Sequence, residues 1–218
     1  MAPSSPSPVG ILGGTFDPVH TAHLRIAQLA LDVLDVKLVL WLPTGAPGYR
    51  TAPVAPADDR VAMLRLALAG EPRYAIDTRE LEPGASGYTV DTLAALRARY
   101  GAALPLVLLI GGDQFAKLES WHRWRELFRL AHVAVLARPG WAPPQGEAGA
   151  ELRARSVPPH GDWRARAAGA IIAVDLPPID VSATALRRAI AQDEDVSAAL
   201  PAEVLHYITT HRLYRGGN

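Results

Sequence analysis

The sequence predicts an α/β fold: a single doubly wound, Rossmann-like domain with a parallel sheet and helices on both faces. Two observations predict it. Apolar runs without alternation recur at Val9–Leu12, Lys37–Leu42, Leu104–Ile110 and His132–Leu136, the pattern of strands covered on both faces. Stretches with helical spacing separate those runs, and strand–helix alternation builds a doubly wound sheet that takes ligands at the carboxyl ends of its strands.

The elements follow in order. Val9–Leu12 is a first strand that stops at Gly13-Gly14, and Leu24, Ala27, Leu31 and Leu34 then mark one helix face. Lys37–Leu42 is a second strand, closed by a loop from Pro43 to Pro56 that holds four prolines and two glycines. A helix is predicted over about 58–69, a strand over 74–81 and a helix over Thr89–Tyr100. Leu104–Ile110 is the clearest strand, ended by Gly111-Gly112-Asp113, and a helix is expected over 115–129 before the strand His132–Leu136. Residues 138–168 read as loop with a short helix near 147–155. A last strand spans 170–174, and helices follow over 182–191 and 201–209. Residues 1–8 form a disordered lead-in and 9–218 the domain.

Composition narrows the function. The 218 residues carry 22 Lys+Arg against 22 Asp+Glu, a net charge of zero, so nucleic acid is not expected as a partner. The absence of cysteine excludes disulfides, thiolate metal sites and a cysteine nucleophile. No apolar run is long enough for a membrane helix, and the start lacks the basic and apolar regions of a signal peptide. A cytoplasmic protein is expected, with association into a homo-oligomer left open.

The chemistry gathers in a few segments. Gly13-Gly14-Thr15-Phe16-Asp17-Pro18-Val19-His20-Thr21-Ala22-His23 follows the first strand. Two glycines there permit a tight turn and close approach of a phosphate to backbone N–H groups. His20 and His23, three apart, share a face at a helix start, where an anion is favoured. As two members of a zinc site they lack a recognisable third ligand, so no metal site is assigned. Asp180-Val181-Ser182-Ala183-Thr184-Ala185-Leu186-Arg187 opens the penultimate helix. Ser182 or Thr184 can cap it, and the same helix end with Arg187 can meet phosphate. Asp113, at a strand's carboxyl end, suits ribose hydroxyls. Trp121 and Trp124 lie three apart on the expected helix, so one can be core while the other faces a cleft. Thr89 can cap the helix it begins. Arg50 and Arg138, read alone, are solvated surface charges.

Together these motifs resemble the nucleotidyltransferases with a His-x-Gly-His signature, and within them the bacterial nicotinate-nucleotide adenylyltransferases, from Val9 to Leu213. The matching segments are the glycine turn with its histidines, Val181-Ser182-Ala183-Thr184 with Arg187, Gly87-Tyr88-Thr89 with Thr92-Leu93, Gly111-x-Asp113 with Leu118-x-x-Trp121, and Pro43-Thr44 to Arg50. Ala22 stands where the family has glycine, Tyr49 where it has histidine and Val181 where it has isoleucine.

The resemblance implies transfer of AMP from ATP to nicotinate mononucleotide. Gly13, Gly14, Thr15, Phe16, Asp113, Ser182 and Thr184 would bind ATP, with His20, His23 and Arg187 as the catalytic set. Thr44, Arg50, Thr89, Trp121, His122 and Arg138 would bind the mononucleotide, Trp121 by stacking on the pyridine ring. Mg²⁺ would be held mainly by the ATP phosphates. Nicotinamide mononucleotide or phosphopantetheine is the alternative acceptor, and a nucleotide-binding module without turnover is the alternative class.

Overall fold

The computed structural model describes residues 7–45 and 52–215. Among them, β1 (Val9–Gly14), β2 (Leu38–Pro43), β3 (Tyr74–Ile76), β4 (Leu106–Gly111), β5 (His132–Ala137), β6 (Ser156–Val157) and β7 (Ile171–Asp175) form one sheet. Its strand order is β3-β2-β1-β4-β5-β7-β6. The pairings of β1 with β4, β4 with β5, β5 with β7 and β6 with β7 are parallel. Chain order reverses at β1 and β4, which makes the sheet doubly wound. The helices are α1 (Thr21–Val33), α2 (Ala57–Leu68), α3 (Thr89–Tyr100), α4 (Gly112–Phe115), α5 (Leu127–Leu130), α6 (Gly146–Arg155), α7 (Ala183–Ala191) and α8 (Ala202–Thr210). No helix among the described residues is long and apolar enough to cross a membrane.

The described chain gathers into two compact units. Among the described residues, the first draws on 7–12, 26–40 and 86–178, the second on 13–25, 41–45, 52–85 and 179–215.

In the first unit, the β4 and β5 residues Val107, Leu108, Leu109, Val133, Ala134 and Val135 are all buried, as strands covered on both faces must be. α3 begins with Asp91 in its first turn and carries Arg97 and Arg99 in its last, signs that suit the helix dipole. It stops at Gly101, whose φ of +86° lies in the left-handed region where glycine is favoured. Arg97 then joins distant segments by donating to the carbonyls of Leu130 (2.8 Å), Ala167 (2.6 Å) and Leu104. His132 is fully buried yet satisfied on both ring nitrogens. Its Nδ1 accepts from the Ala170 N–H at 3.1 Å, and its Nε2 lies 2.9 Å from the Arg166 carbonyl, which only an N–H can serve.

In the second unit, α2 takes Pro56 at its N-cap with Asp58 and Asp59 in the first turn. α7 is capped by Ser182, whose Oγ accepts from the Ala185 N–H at 3.2 Å. α8 buries Val204 and Ile208, and its Tyr207 hydroxyl donates to Asp59 of α2 at 2.8 Å.

Two expectations need correction. The strand expected over 74–81 stops at Ile76, and Arg79–Leu81 is a 3₁₀ turn. Asp77 causes the break, because it turns back to accept from the Arg79 backbone N–H at 3.1 Å and guanidinium at 2.8 Å. The single helix expected over 115–129 is α4, two 3₁₀ turns (Leu118–Ser120 and Trp124–Glu126) and α5. Ser120 Oγ donates to the Lys117 carbonyl at 2.7 Å and Arg123 adopts a left-handed φ of 50°, and both oppose a continuous helix. The stretch over 138–168 contains α6, as expected, together with β6 and a 3₁₀ turn at Asp162–Ala165.

Burial lowers the pKa of His132 from 6.5 to about 4, so the folded protein holds the ring neutral. The unfolded chain takes up a proton near 6.5. The stability tied to the neutral ring is therefore complete above pH 6.5 and is lost as pH falls toward 4. The urea midpoint should decline across that window, and His132→Gln, which keeps a donor but cannot titrate, should flatten the decline while lowering stability at neutral pH.

Candidate active site

The turn after β1 is built around Phe16 and Asp17. Phe16 has a left-handed φ of 50° and a fully buried ring, which meets the rings of His23 at 5.0 Å and Trp41 at 5.4 Å. A Cβ on Gly14 would come within 2.9 Å of that ring, so Gly14 is required by packing. A Cβ on Gly13 would meet nothing within 4 Å. Gly13 is exposed and leaves its backbone open to a ligand, whereas Gly14 serves the fold.

His20 precedes α1 and His23 lies in its first turn. Their rings stack with centroids 3.8 Å apart and planes 25° apart. The His20 backbone N–H donates to His23 Nδ1 at 3.3 Å, which places the proton of a neutral His23 on Nε2. Burial lowers the pKa of His20 to about 4, and burial together with the neighbouring His20 holds His23 well below its usual 6.5. Two imidazolium rings at this separation would repel, so the pair rests neutral. His20 Nδ1 is buried without a hydrogen-bond partner among the described residues. A phosphate would supply both an acceptor and the negative charge that raises both pKa values. Ala22, in place of the family's glycine, is buried, so its methyl group lies within packed protein.

Arg187 belongs to the same unit. It donates through Nη1 to the Asp17 carbonyl at 2.7 Å and through Nη2 to Thr184 Oγ1 at 3.4 Å. Ser182 and Thr184 are exposed, and Ser182 caps α7. Thr44 is held by its backbone: its N–H donates to the Gly14 carbonyl at 2.9 Å, and its carbonyl accepts from Arg60 at 2.9 Å.

The remaining described candidates lie in the first unit. Thr89 opens α3 and is half-buried. Next to it, Tyr88 packs on His122 with ring centroids 4.3 Å apart, and Arg123 reaches Asp91 at 3.4 Å, so the Thr89 and Trp121–His122 segments are joined. Trp121 sits in extended backbone after the Leu118–Ser120 turn rather than on a helix. It is half-buried, whereas Trp124 is core and meets Phe128 edge-to-face at 6.1 Å. Asp113 follows β4 and Arg138 follows β5, both exposed, and the register Gly111↔Leu136 aligns the carboxyl ends of those strands. Arg50 and Tyr49 lie outside the described residues.

Sequence reasoning missed three residues that hold the turn. Asp17 is buried, and its carboxylate accepts from the N–H groups of Val54 (2.7 Å) and Ala55 (3.1 Å) and from the Tyr214 hydroxyl (2.7 Å). Arg60, also buried, donates to the carbonyls of Thr15 (2.7 Å) and Thr44. Asp17 sat inside a motif already singled out, and a carboxylate amid apolar residues was its signal. Arg60 beside two aspartates reads as helix surface, and nothing local points to Tyr214.

The cytidylyltransferase-like family matches residues 11–189. The chain belongs to it. A protein of Laribacter hongkongensis named "probable nicotinate-nucleotide adenylyltransferase" is 48% identical, covering 95% of this chain and 94% of its own. One of the same name from Chromobacterium violaceum is 47% identical over 95% of this chain and 98% of its own. With these relatives, the family is that of the nicotinate-nucleotide adenylyltransferases. The fold recurs in the Plasmodium falciparum nicotinic acid mononucleotide adenylyltransferase complexed with NaAD, with a TM-score of 0.71 at 14% identity over 95% of this chain and 97% of that one.

The two glycines of the turn should respond differently to alanine. Gly14→Ala forces a methyl group against the immobile Phe16 ring and should cost about 1–3 kcal/mol of stability. Gly13→Ala should keep the melting temperature and weaken ATP binding, as calorimetry on both variants would read.

Proposed function

We propose that the chain transfers AMP from ATP to nicotinate mononucleotide, giving deamido-NAD and pyrophosphate. The observation that carries the reading is identity of 48% with a relative of that name, spread over nearly the whole of both chains. The stacked histidine pair and Arg187 support it as the phosphate-directed set. A 5′-phosphate oxygen of the mononucleotide attacks the α-phosphorus of ATP, the bond to the β-phosphate bridge breaks, and pyrophosphate leaves. The attacking monoester is already anionic, so no strong base is required, and catalysis is positioning and charge stabilisation.

In this reading His20 and His23 donate N–H groups to the α- and β-phosphates, and Arg187 with Ser182 and Thr184 takes the leaving pyrophosphate. Gly13, Gly14, Thr15 and Phe16 form the turn that faces ATP, and Asp113 takes ribose hydroxyls. Trp121 stacks on the pyridine ring and Thr89 meets the nicotinate carboxylate, with Thr44, Arg50, His122 and Arg138 completing the mononucleotide's contacts. No three His, Cys, Asp or Glu side chains among the described residues gather as metal ligands. Mg²⁺ would be held by the phosphate oxygens and water and would offset the triphosphate charge. The enzyme would act in the cytoplasm without a nucleic-acid partner.

The direct test is pyrophosphate release with ATP and Mg²⁺, offering nicotinate mononucleotide, nicotinamide mononucleotide and phosphopantetheine in parallel. Strong preference for the first is expected; turnover of another acceptor in its place overturns the reading. His20→Ala should lower kcat by two or more orders of magnitude with the fold intact, because its work lies in the transition state. Trp121→Ala should raise KM for the mononucleotide by about 10-fold, the scale of one base–aromatic stack, and leave KM for ATP unchanged. Equal losses for both substrates would make Trp121 a structural residue.

A further inference from the structure

Resting on that reading, we propose that Tyr214 is a positioning residue for the transfer: its hydroxyl fixes the Asp17 carboxylate, and through Asp17 the guanidinium of Arg187. Among the described residues, Asp17 meets Tyr214, Val54, Ala55 and Arg187. Its Oδ1 accepts from Tyr214 at 2.7 Å and from the Ala55 N–H at 3.1 Å. Its Oδ2 accepts from the Val54 N–H at 2.7 Å and lies 3.8 Å from Arg187 Nη1, which also donates to the Asp17 carbonyl at 2.7 Å. Arg187 is thus placed by both the backbone and the side chain of one residue.

The backbone after α8 is bent to make the contact. Leu213 N–H bonds back to the Ile208 carbonyl at 3.0 Å, while Arg212 and Tyr214 adopt left-handed φ values of 54° and 62°. Such conformations are unfavourable in a residue with a side chain, and they persist where the surroundings require them. Phe16, which precedes Asp17, is left-handed as well. Both sides of the Tyr214–Asp17 hydrogen bond therefore carry unfavourable backbone. Burial and the facing carboxylate push the Tyr214 pKa well above its ordinary value, so the hydroxyl keeps the proton it donates.

The mechanism explains why a tyrosine is used. A phenolic O–H orients the buried carboxylate without adding positive charge, so Arg187 and Arg60 remain the cations near it. Without that hydrogen bond Asp17 can rotate toward Arg187 and draw the guanidinium into a closer ion pair, away from the leaving group.

Tyr214→Phe removes only the hydroxyl. With ATP, Mg²⁺ and nicotinate mononucleotide, kcat should fall about tenfold, the scale of one hydrogen bond to a charged group, with KM for the mononucleotide unchanged. In an Arg187→Ala background the same substitution should lower kcat no further. Unchanged kcat in the single variant, or an undiminished loss in the Arg187→Ala background, overturns the proposal, and a general loss of stability would appear as equal effects in both backgrounds. Binding of inorganic pyrophosphate with Mg²⁺, followed by calorimetry, reads the same coupling without turnover. Wild-type protein that fails to turn over nicotinate mononucleotide would sink the assigned reaction. Tyr214→Phe that weakens pyrophosphate binding only when Arg187 is present would sustain the positioning role regardless.

Discussion

A buried carboxylate organises the turn after β1. Taking the charge of Asp17 out of water without compensation costs several kcal/mol, and only hydrogen bonds and opposite charge offset that cost. The chain supplies them from three distant places: the backbone at Val54 and Ala55, the guanidinium of Arg187 and the hydroxyl of Tyr214. All three segments converge on the residue that closes the glycine turn. Arg60 makes the same demand in the opposite sense, since its buried guanidinium must find the carbonyls of Thr15 and Thr44. The turn after β1 is thus fixed by buried polar groups, whose hydrogen bonds are more directional than apolar packing.

That rigidity bears on the histidines. A flexible surface histidine would titrate near 6.5 and hold its charge in water. His20 and His23 are stacked, covered and neutral, with His23 fixed in tautomer by a backbone donor. Groups arranged before the substrate arrives need no reorganisation as charge develops, and preorganised donors are where phosphoryl transfer gains most. The cost of keeping two rings dehydrated falls on the free protein, and an anion bound as proposed would relieve it.

Much of the fold was legible because it rests on local pattern. β1, β2, β4, β5 and β7 lie within two residues of the apolar runs, and α3 spans the predicted Thr89–Tyr100. The failures share a cause. The helix expected over 115–129 had the apolar spacing, but Ser120 and Arg123 set their own backbone by local contacts, and Glu119 turns away to accept from the Ala148 N–H at the start of α6. The candidate site was half legible for a similar reason. Gly13, His20 and His23 sit in one segment and announce themselves by spacing, whereas Tyr214 meets Asp17 across nearly the whole chain. No periodicity encodes a contact of that separation, and only the requirement that a buried carboxylate be satisfied hints that partners exist.

The same distinction explains how the two tryptophans were to be separated. Helical spacing left open which of Trp121 and Trp124 is core and which faces a cleft. Breaking the helix between them frees each to follow its own chemistry: Trp124 is driven into the core against Phe128, while Trp121, in extended backbone, keeps part of its indole uncovered. Burying both would remove more apolar area from water, by a margin of order 25 cal/mol per Å². The fold forgoes that gain at Trp121 while it spends two polar side chains, His122 on Tyr88 and Arg123 on Asp91, to join this segment to Thr89. A large aromatic kept partly exposed on a segment tied down by its neighbours leaves a ring face available for the stacking proposed above.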